Sequence, residues 1–199
     1  MAVALKKGEE ITVGKPATDS LPTLAFGLGW DLRTQESKGV LGIGGGKRQR
    51  AVDLDASCLL FDANKQLVDQ VWFQQYQSKC GAVTHTGDNK SGDAPGADEV
   101  IHVNLSRLPK EVQTLVFTVT CFSELNFTKI DNAFIYVIDS VDNQELARFD
   151  LAEAGGDHSA LIIGKLRRSA DGWVFRAIGH TGDGHTFLKI LPQVTALID

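Results

Sequence analysis

The run Ala51-Val52-Asp53-Leu54-Asp55-Ala56-Ser57-Cys58-Leu59-Leu60-Phe61-Asp62 decides the fold class. Val52, Leu54, Ala56, Cys58 and Leu60 recur at every second position, the period of a strand with one buried face and not the 3.6 of a helix. Asp53 and Asp55 fall on the other face beside Ser57. Residues two apart on a strand lie about 7 Å apart at the Cα, so these carboxylates can converge on one ion or flank two.

The same signal repeats outward. Val3–Leu5 and Glu10–Val13 read as an opening hairpin and Pro16–Pro22 as a linker. Leu24–Asp31 is a strand whose Gly27 and Gly29 allow close backbone approach. It ends in Asp31, at a strand terminus where binding residues gather. Gln66–Gln77, Val83–Thr86, Val100–Leu105, Leu115–Phe122, Asn132–Asp139, Glu145–Leu151, Ala160–Leu166 and Trp173–Ile178 follow as strands. Asn64-Lys65, Asp142-Asn143 and Asp171-Gly172 are turns between them. Phe127–Asp131 forms one helical turn. About ten or eleven short strands without long crossovers describe an all-β, two-sheet sandwich. Only Thr186–Ile198 has helical spacing, with Phe187, Leu188, Leu191, Val194 and Leu197 on one stripe and a kink or boundary at Pro192.

A chain of 199 residues fits one domain spanning 1–199. Arg33–Arg50 interrupts the pattern as a flexible, Gly-rich, basic insertion. It is not a phosphate loop: Leu41 and Arg48 stand where GxxxxGK[ST] needs glycine and a hydroxyl, and Lys47 stands where GxGxxG needs glycine. A net charge of -5 argues against nucleic acid as a partner, since binding it requires neutralising phosphates. There is no apolar run long enough to span a membrane, and Met1–Lys7 has no secretory signature. Cys58, Cys80 and Cys121 form neither a CxxC nor a ligand spacing. Cys58 and Cys121 read as buried hydrophobes and Cys80 as exposed, and the odd count suits a reducing, cytoplasmic setting.

The chemistry concentrates in His85–Val103, which sets Asp88, Asn89, Asp93, Asp98 and Glu99 among glycines and a proline. Each carboxylate pair at about 5 Å costs roughly 3 kcal/mol at an effective dielectric of 20. A hard divalent cation such as Ca²⁺ relieves that repulsion with all-oxygen ligation. The loop is not an EF-hand, because Lys90 occupies the third ligand position and strands flank it. Zinc spacing, HExxH and GxSxG are absent. Acids sharing one wet loop make a poor acid/base pair, so no enzymatic activity is expected. Two other readings use the same residues: a calcium-dependent carbohydrate binder stacking sugars on Trp30 or Trp72, and a metal-dependent hydrolase.

Gly27-Leu28-Gly29-Trp30-Asp31, Asp53-Leu54-Asp55-Ala56-Ser57, His85-Thr86-Gly87-Asp88-Asn89 with Gly92, Gly96, Asp98 and Glu99, and Asn132-Ala133-Phe134 together resemble the TerD family of tellurium-resistance and stress proteins. The Gly-rich insertion and Trp72-Phe73-Gln74-Gln75 are similar to its TerZ branch. The resemblance implies a cytoplasmic, calcium-binding β-sandwich acting in resistance to tellurite, phage and colicins. It implies partners among other Ter proteins, including a membrane-associated Ter complex. The implied ligands are Asp31, Asp53, Asp55, Asp88, Asp98 and Glu99, with Asn89 through its amide oxygen and Asp93 where the family often has an acid. Gly96-Ala97-Asp98-Glu99 lacks one carboxylate of the usual Gly-Asp-Asp-Glu, and Ala94-Pro95 stiffens the loop.

Overall fold

The computed structural model describes residues 7–13, 23–31, 33–36, 47–50, 52–89, 97–123, 125–140, 144–170 and 172–198. The expected strand Val3–Leu5, the linker Pro16–Pro22, the turn Asp142-Asn143, and Asp171 and Asp93 lie outside them. One antiparallel sheet runs β1 (Glu10–Val13), β13 (Gly172–Gly182), β12 (Ala160–Ser169), β9 (Thr114–Cys121), β5 (Leu54–Phe61), β6 (Leu67–Val71). The other runs β11 (Gln144–Asp150), β10 (Asp131–Asp139), β2 (Thr23–Asp31), β8 (Glu99–Asn104), β7 (Val83–His85). We refer to them as the first and second sheets. This is the two-sheet sandwich that the alternation predicts.

The inner faces close on one another. Leu54, Ala56, Cys58 and Leu60 of β5 join Leu115, Phe117 and Val119 of β9 and Leu24, Phe26, Leu28 and Trp30 of β2 in one buried cluster. Phe26 and Phe117 stack across the sheets with their ring planes 14° apart. Burial of each such side chain contributes about 1.5–3 kcal/mol.

The outer face of the first sheet is covered as well. Helix α2 (Phe187–Ala196) lays Phe187, Ile190 and Val194 over Leu59, Phe61, Val116 and Ile162, forming a second apolar cluster with Ile198 just beyond the helix. The expected half-exposed strand at 54–61 is therefore buried at all eight positions. The helix runs through Pro192, whose missing N–H costs one backbone bond that the packing below offsets.

Three local expectations are corrected. The extended segment does not continue through Leu151: Asp150 accepts the Glu153 N–H at 3.0 Å and caps a short helix, α1 (Leu151–Gly155), the reach of an N-cap acid to the third residue of a helix. The strand from Gln66 stops at Val71 instead of Gln77. Asp69 there accepts N–H groups from Gln70, Gln75 and Lys79 at 2.6–3.0 Å, folding the following residues into turns. Within the Gly-rich insertion, β3 (Arg33–Glu36) pairs with β4 (Lys47–Arg50) as a two-stranded ribbon; residues 37–46 lie outside the described set. Gly27 admits a ring instead of a backbone: a Cβ there would run into the ring of Tyr136, its register partner on β10. Cys58 and Cys121 are buried as expected, while Cys80 is only partly exposed. Among the described residues no helix is long and apolar enough to cross a membrane.

Gly164 lies where β12 shifts register against both its neighbours. A Cβ there meets the Phe175 ring at 2.6 Å and the Arg176 carbonyl at 2.7 Å. Backbone cannot yield as a side chain can, so Gly164→Ala is predicted to lower stability by about 2 kcal/mol or more in urea unfolding. A loss below about 0.5 kcal/mol, the range of an ordinary surface change, contradicts this packing.

Candidate metal centre

β5 is longer than the strand beside it. β6 pairs with β5 only from Cys58 to Phe61, so Leu54–Ser57 present an open edge toward the second sheet. Glu99, the first residue of β8, fills it. Its Oε2 accepts the Ala56 N–H at 2.8 Å and its Oε1 accepts the Asn89 N–H at 3.3 Å. His85 approaches the same carboxylate, with Nε2 3.3 Å from Oε2. The Gly87 N–H donates to His85 Nδ1 at 3.1 Å, so the ring proton belongs on Nε2, facing Glu99. Glu99 is fully buried, and burial raises its pKa above the ordinary glutamate value, with the bonds to His85, Ala56 and Asn89 working against the rise. It is a strut between the sheets, and its oxygens are committed to protein donors.

Around this strut three acids converge. Asp53 precedes β5, its N–H donating to Ser123 Oγ at 2.7 Å and its carbonyl accepting the Phe122 N–H at 2.9 Å. Asp55 lies within β5 and is buried. Asp88 follows the His85-Thr86-Gly87 turn, which Thr86 pins to Val100 by two hydrogen bonds and in which Gly87 takes a φ of 135°, open to glycine alone at little cost. One carboxylate oxygen from each of Asp53, Asp55 and Asp88 lies within 4.8 Å of the others. Asp53 Oδ1, Asp55 Oδ2 and Asp88 Oδ1 are buried from solvent.

The remaining expected ligands flank this group. Asp98 Oδ2 accepts the Trp30 N–H at 3.0 Å, and Asp98 Oδ1 accepts from the Asn89 side-chain amide at 2.8 Å. The amide nitrogen of Asn89 is thus used inside the protein. Asp31 accepts from the Asn132 side chain at 2.6 Å and is exposed. Trp30 and Asp98 connect Asp31 to Asn89 through consecutive contacts, so the acids share one end of the sandwich. Among the described residues, only Asp53, Asp55 and Asp88 meet at one point. His85 opened the acidic stretch in the sequence but was given no role toward its carboxylates, although its place two residues after Val83 in a short alternating strand was a signal. Trp30 is 2% exposed and donates from Nε1 to the Val52 carbonyl at 2.9 Å, so it offers no stacking platform. Trp72 packs edge-on to Phe73 and Phe187.

Three ionised carboxylates held this closely repel by about 3.5 kcal/mol per pair at an effective dielectric of 20. Their donor set is oxygen alone, the chemistry of a hard cation. Ligands at 2.3–2.6 Å from one calcium ion lie at most about 5 Å apart, and this group meets that bound.

The TerD domain pattern matches residues 1–191. The chain belongs to the TerD family. It is 44% identical over 185 residues to tellurium resistance protein TerZ of Serratia marcescens, covering 92% of both chains. It is 35% identical to stress response protein SCP2 of Bacillus subtilis, covering 90% of this chain and 92% of that one. The crystal structure of a TerD homologue from Streptomyces coelicolor superposes with a TM-score of 0.72 at 18% identity, covering 87% of this chain and 97% of that one. The expected family, tellurium resistance and stress response, is thereby established, as is its β-rich fold.

The buried Glu99 gives this TerD-family chain a pH signature. A carboxyl whose folded pKa is raised contributes stability that is complete below its ordinary value of 4.5 and is lost as pH rises through the raised value. In chelator, wild-type stability relative to Glu99→Gln is predicted to fall as pH rises from the ordinary value of 4.5 through the raised value. A difference that is constant over that range, measured by urea unfolding, contradicts the assignment.

Proposed function

We propose that this protein is a calcium-binding module of the tellurium-resistance and stress response, acting in the cytoplasm as a scaffold or signalling component with other Ter proteins. The observation that carries the reading is the convergence of Asp53, Asp55 and Asp88 within 4.8 Å. Asp55 lies on β5 of the first sheet with Asp53 just before that strand, and Asp88 lies in the loop that leaves the second sheet. A calcium ion held by all three ties that loop to β5 and removes the repulsion that otherwise opposes their approach. Asp31, Asp93, Asp98, Glu99 and the Asn89 amide oxygen complete the proposed set, with Glu99 and Asp98 acting mainly by holding the backbone around it. An acidic edge ordered in this way is the surface on which a partner would distinguish the loaded protein from the free one.

Thermal unfolding with and without calcium tests the reading. At a calcium concentration near one hundred times the dissociation constant, binding to the folded state alone adds about 2.7 kcal/mol. For a chain of this size that raises Tm by roughly 5–10 °C. Asp88→Ala is predicted to abolish most of the rise. A wild-type Tm indifferent to saturating calcium contradicts the reading, as does an undiminished rise in Asp88→Ala.

A further inference from the structure

Among the described residues, the large hydrophobic side chains that stand open to solvent are Tyr76, Phe122 and Leu188, at 47%, 49% and 56% exposure. All three sit at the end of the sandwich that holds the acids. Phe122 follows β9, and its N–H donates to the Asp53 carbonyl at 2.9 Å. The Tyr76 carbonyl accepts the His85 N–H at 2.8 Å, and the two rings lie 5.8 Å apart. Leu188 is in the first turn of α2. That helix starts shortly after Gly182, which is in register with Asp55 through Ala160 and Thr120. The patch is continuous. After Val71 the chain turns back at Phe73-Gln74, where Trp72 and Gln75 exchange N–H···O bonds of 3.1 and 2.9 Å. A row of rings runs from this turn: Phe122 to Phe73 at 6.0 Å, Phe73 to Trp72 at 4.7 Å and Trp72 to Phe187 at 5.0 Å, ending beside Leu188. Single hydrophobes are ordinary on a surface, whereas a connected exposed set marks an interaction site. Cations border it. Lys79 and Lys189 are exposed. The β3–β4 ribbon leaves the sandwich just after Asp31 and rejoins it just before Val52, and its strands carry Arg33, Lys47, Arg48 and Arg50 against Glu36.

We propose that the calcium-loaded protein docks this end on an anionic phospholipid surface, with Phe122, Leu188 and Tyr76 entering the headgroup level. The proposal rests on the calcium reading above, since a bound ion adds two positive charges beside the hydrophobic tips. Aromatic side chains favour the boundary between headgroups and acyl chains. Lys79, Lys189 and the ribbon add attraction to lipid phosphates, and stable surface binding takes two such signals together. The hydrophobes come from a turn, a strand end and a helix start. A broad planar surface meets all three at once more readily than the narrow side of a peptide. Docking of this kind needs no spanning helix, and contact made by this chain's own residues needs no protein partner.

Co-sedimentation of the full chain with protein-free vesicles tests this, using phosphatidylcholine alone or mixed equally with phosphatidylglycerol. It is measured in calcium and in chelator, beside the Tm of vesicle-free protein. The expected result is binding that needs both calcium and phosphatidylglycerol. Phe122→Ser combined with Leu188→Ser is expected to lower the affinity about tenfold or more, as for loss of buried apolar surface. Both side chains are about half exposed, so the double variant folds, and an unchanged rise in Tm with calcium shows that its metal centre is intact. A wild type whose Tm rises with calcium but which stays off the mixed vesicles overturns the proposal and leaves the calcium reading standing. The absence of both the rise and the binding overturns both. Binding that survives chelator also overturns the proposal. So does binding that the double variant keeps in full, which assigns the exposed rings to a protein partner instead.

Discussion

The hydrogen bond from the Ala56 N–H to Glu99 Oε2 is the constraint around which the acidic end of the molecule is arranged. β5 outruns β6, and a strand edge without a neighbour presents donors that must be satisfied or solvated. A buried backbone N–H left without an acceptor costs about as much as a lost hydrogen bond, so an acid reaching across from the other sheet is worth its own desolvation. Because that acid begins β8, it also fixes where β8 starts relative to β5. His85 and the Asn89 N–H then gather on the same carboxylate, and the loop carrying Asp88 is drawn against Asp53 and Asp55. Position and charge come from the same contact.

The rest of the fold holds β5 still. Its inner side chains enter the cluster between the sheets, and its outer ones lie under α2. A strand buried on both faces has little freedom to move at its end, which suits residues that must keep three carboxylates close. Charge is segregated along the first sheet as well. Acids collect at the β5 end and cations at the β12–β13 ladder, an arrangement that a net charge of -5 conceals.

Much of this was legible in the sequence, and the reasons for the misses are physical. Strict alternation at Val52–Leu60 gave the strand, its inner face and the shared face of Asp53 and Asp55, because a period of two admits one register only. The crowding of acids after His85 marked Asp88. Glu99 was read only as a ligand, and its second role as a strut between the sheets is one that composition alone does not reveal. Its parity with Ile101 and Val103, both buried, already pointed it inward. The cover that α2 places on β5 was hidden because Asp55 and Ser57 make the outer face look solvated, and only long-range packing decides that. The early end of the strand at Val71 depends on Asp69 meeting Lys79 ten residues later, which no local pattern reports. The helix after Asp150 was readable from the Asp150-to-Glu153 spacing and lost to the extended pattern before it.

Terbium luminescence tests the central claim most directly, since the ion takes oxygen ligands as calcium does and emits when excited through a nearby indole. Trp30 is bonded to the Val52 carbonyl, next to Asp53. The account predicts sensitised emission that calcium displaces and that Trp30→Phe or Asp55→Asn removes. Emission that survives Asp55→Asn combined with Asp53→Asn would mean that an ion sits elsewhere and that these acids do not gather it.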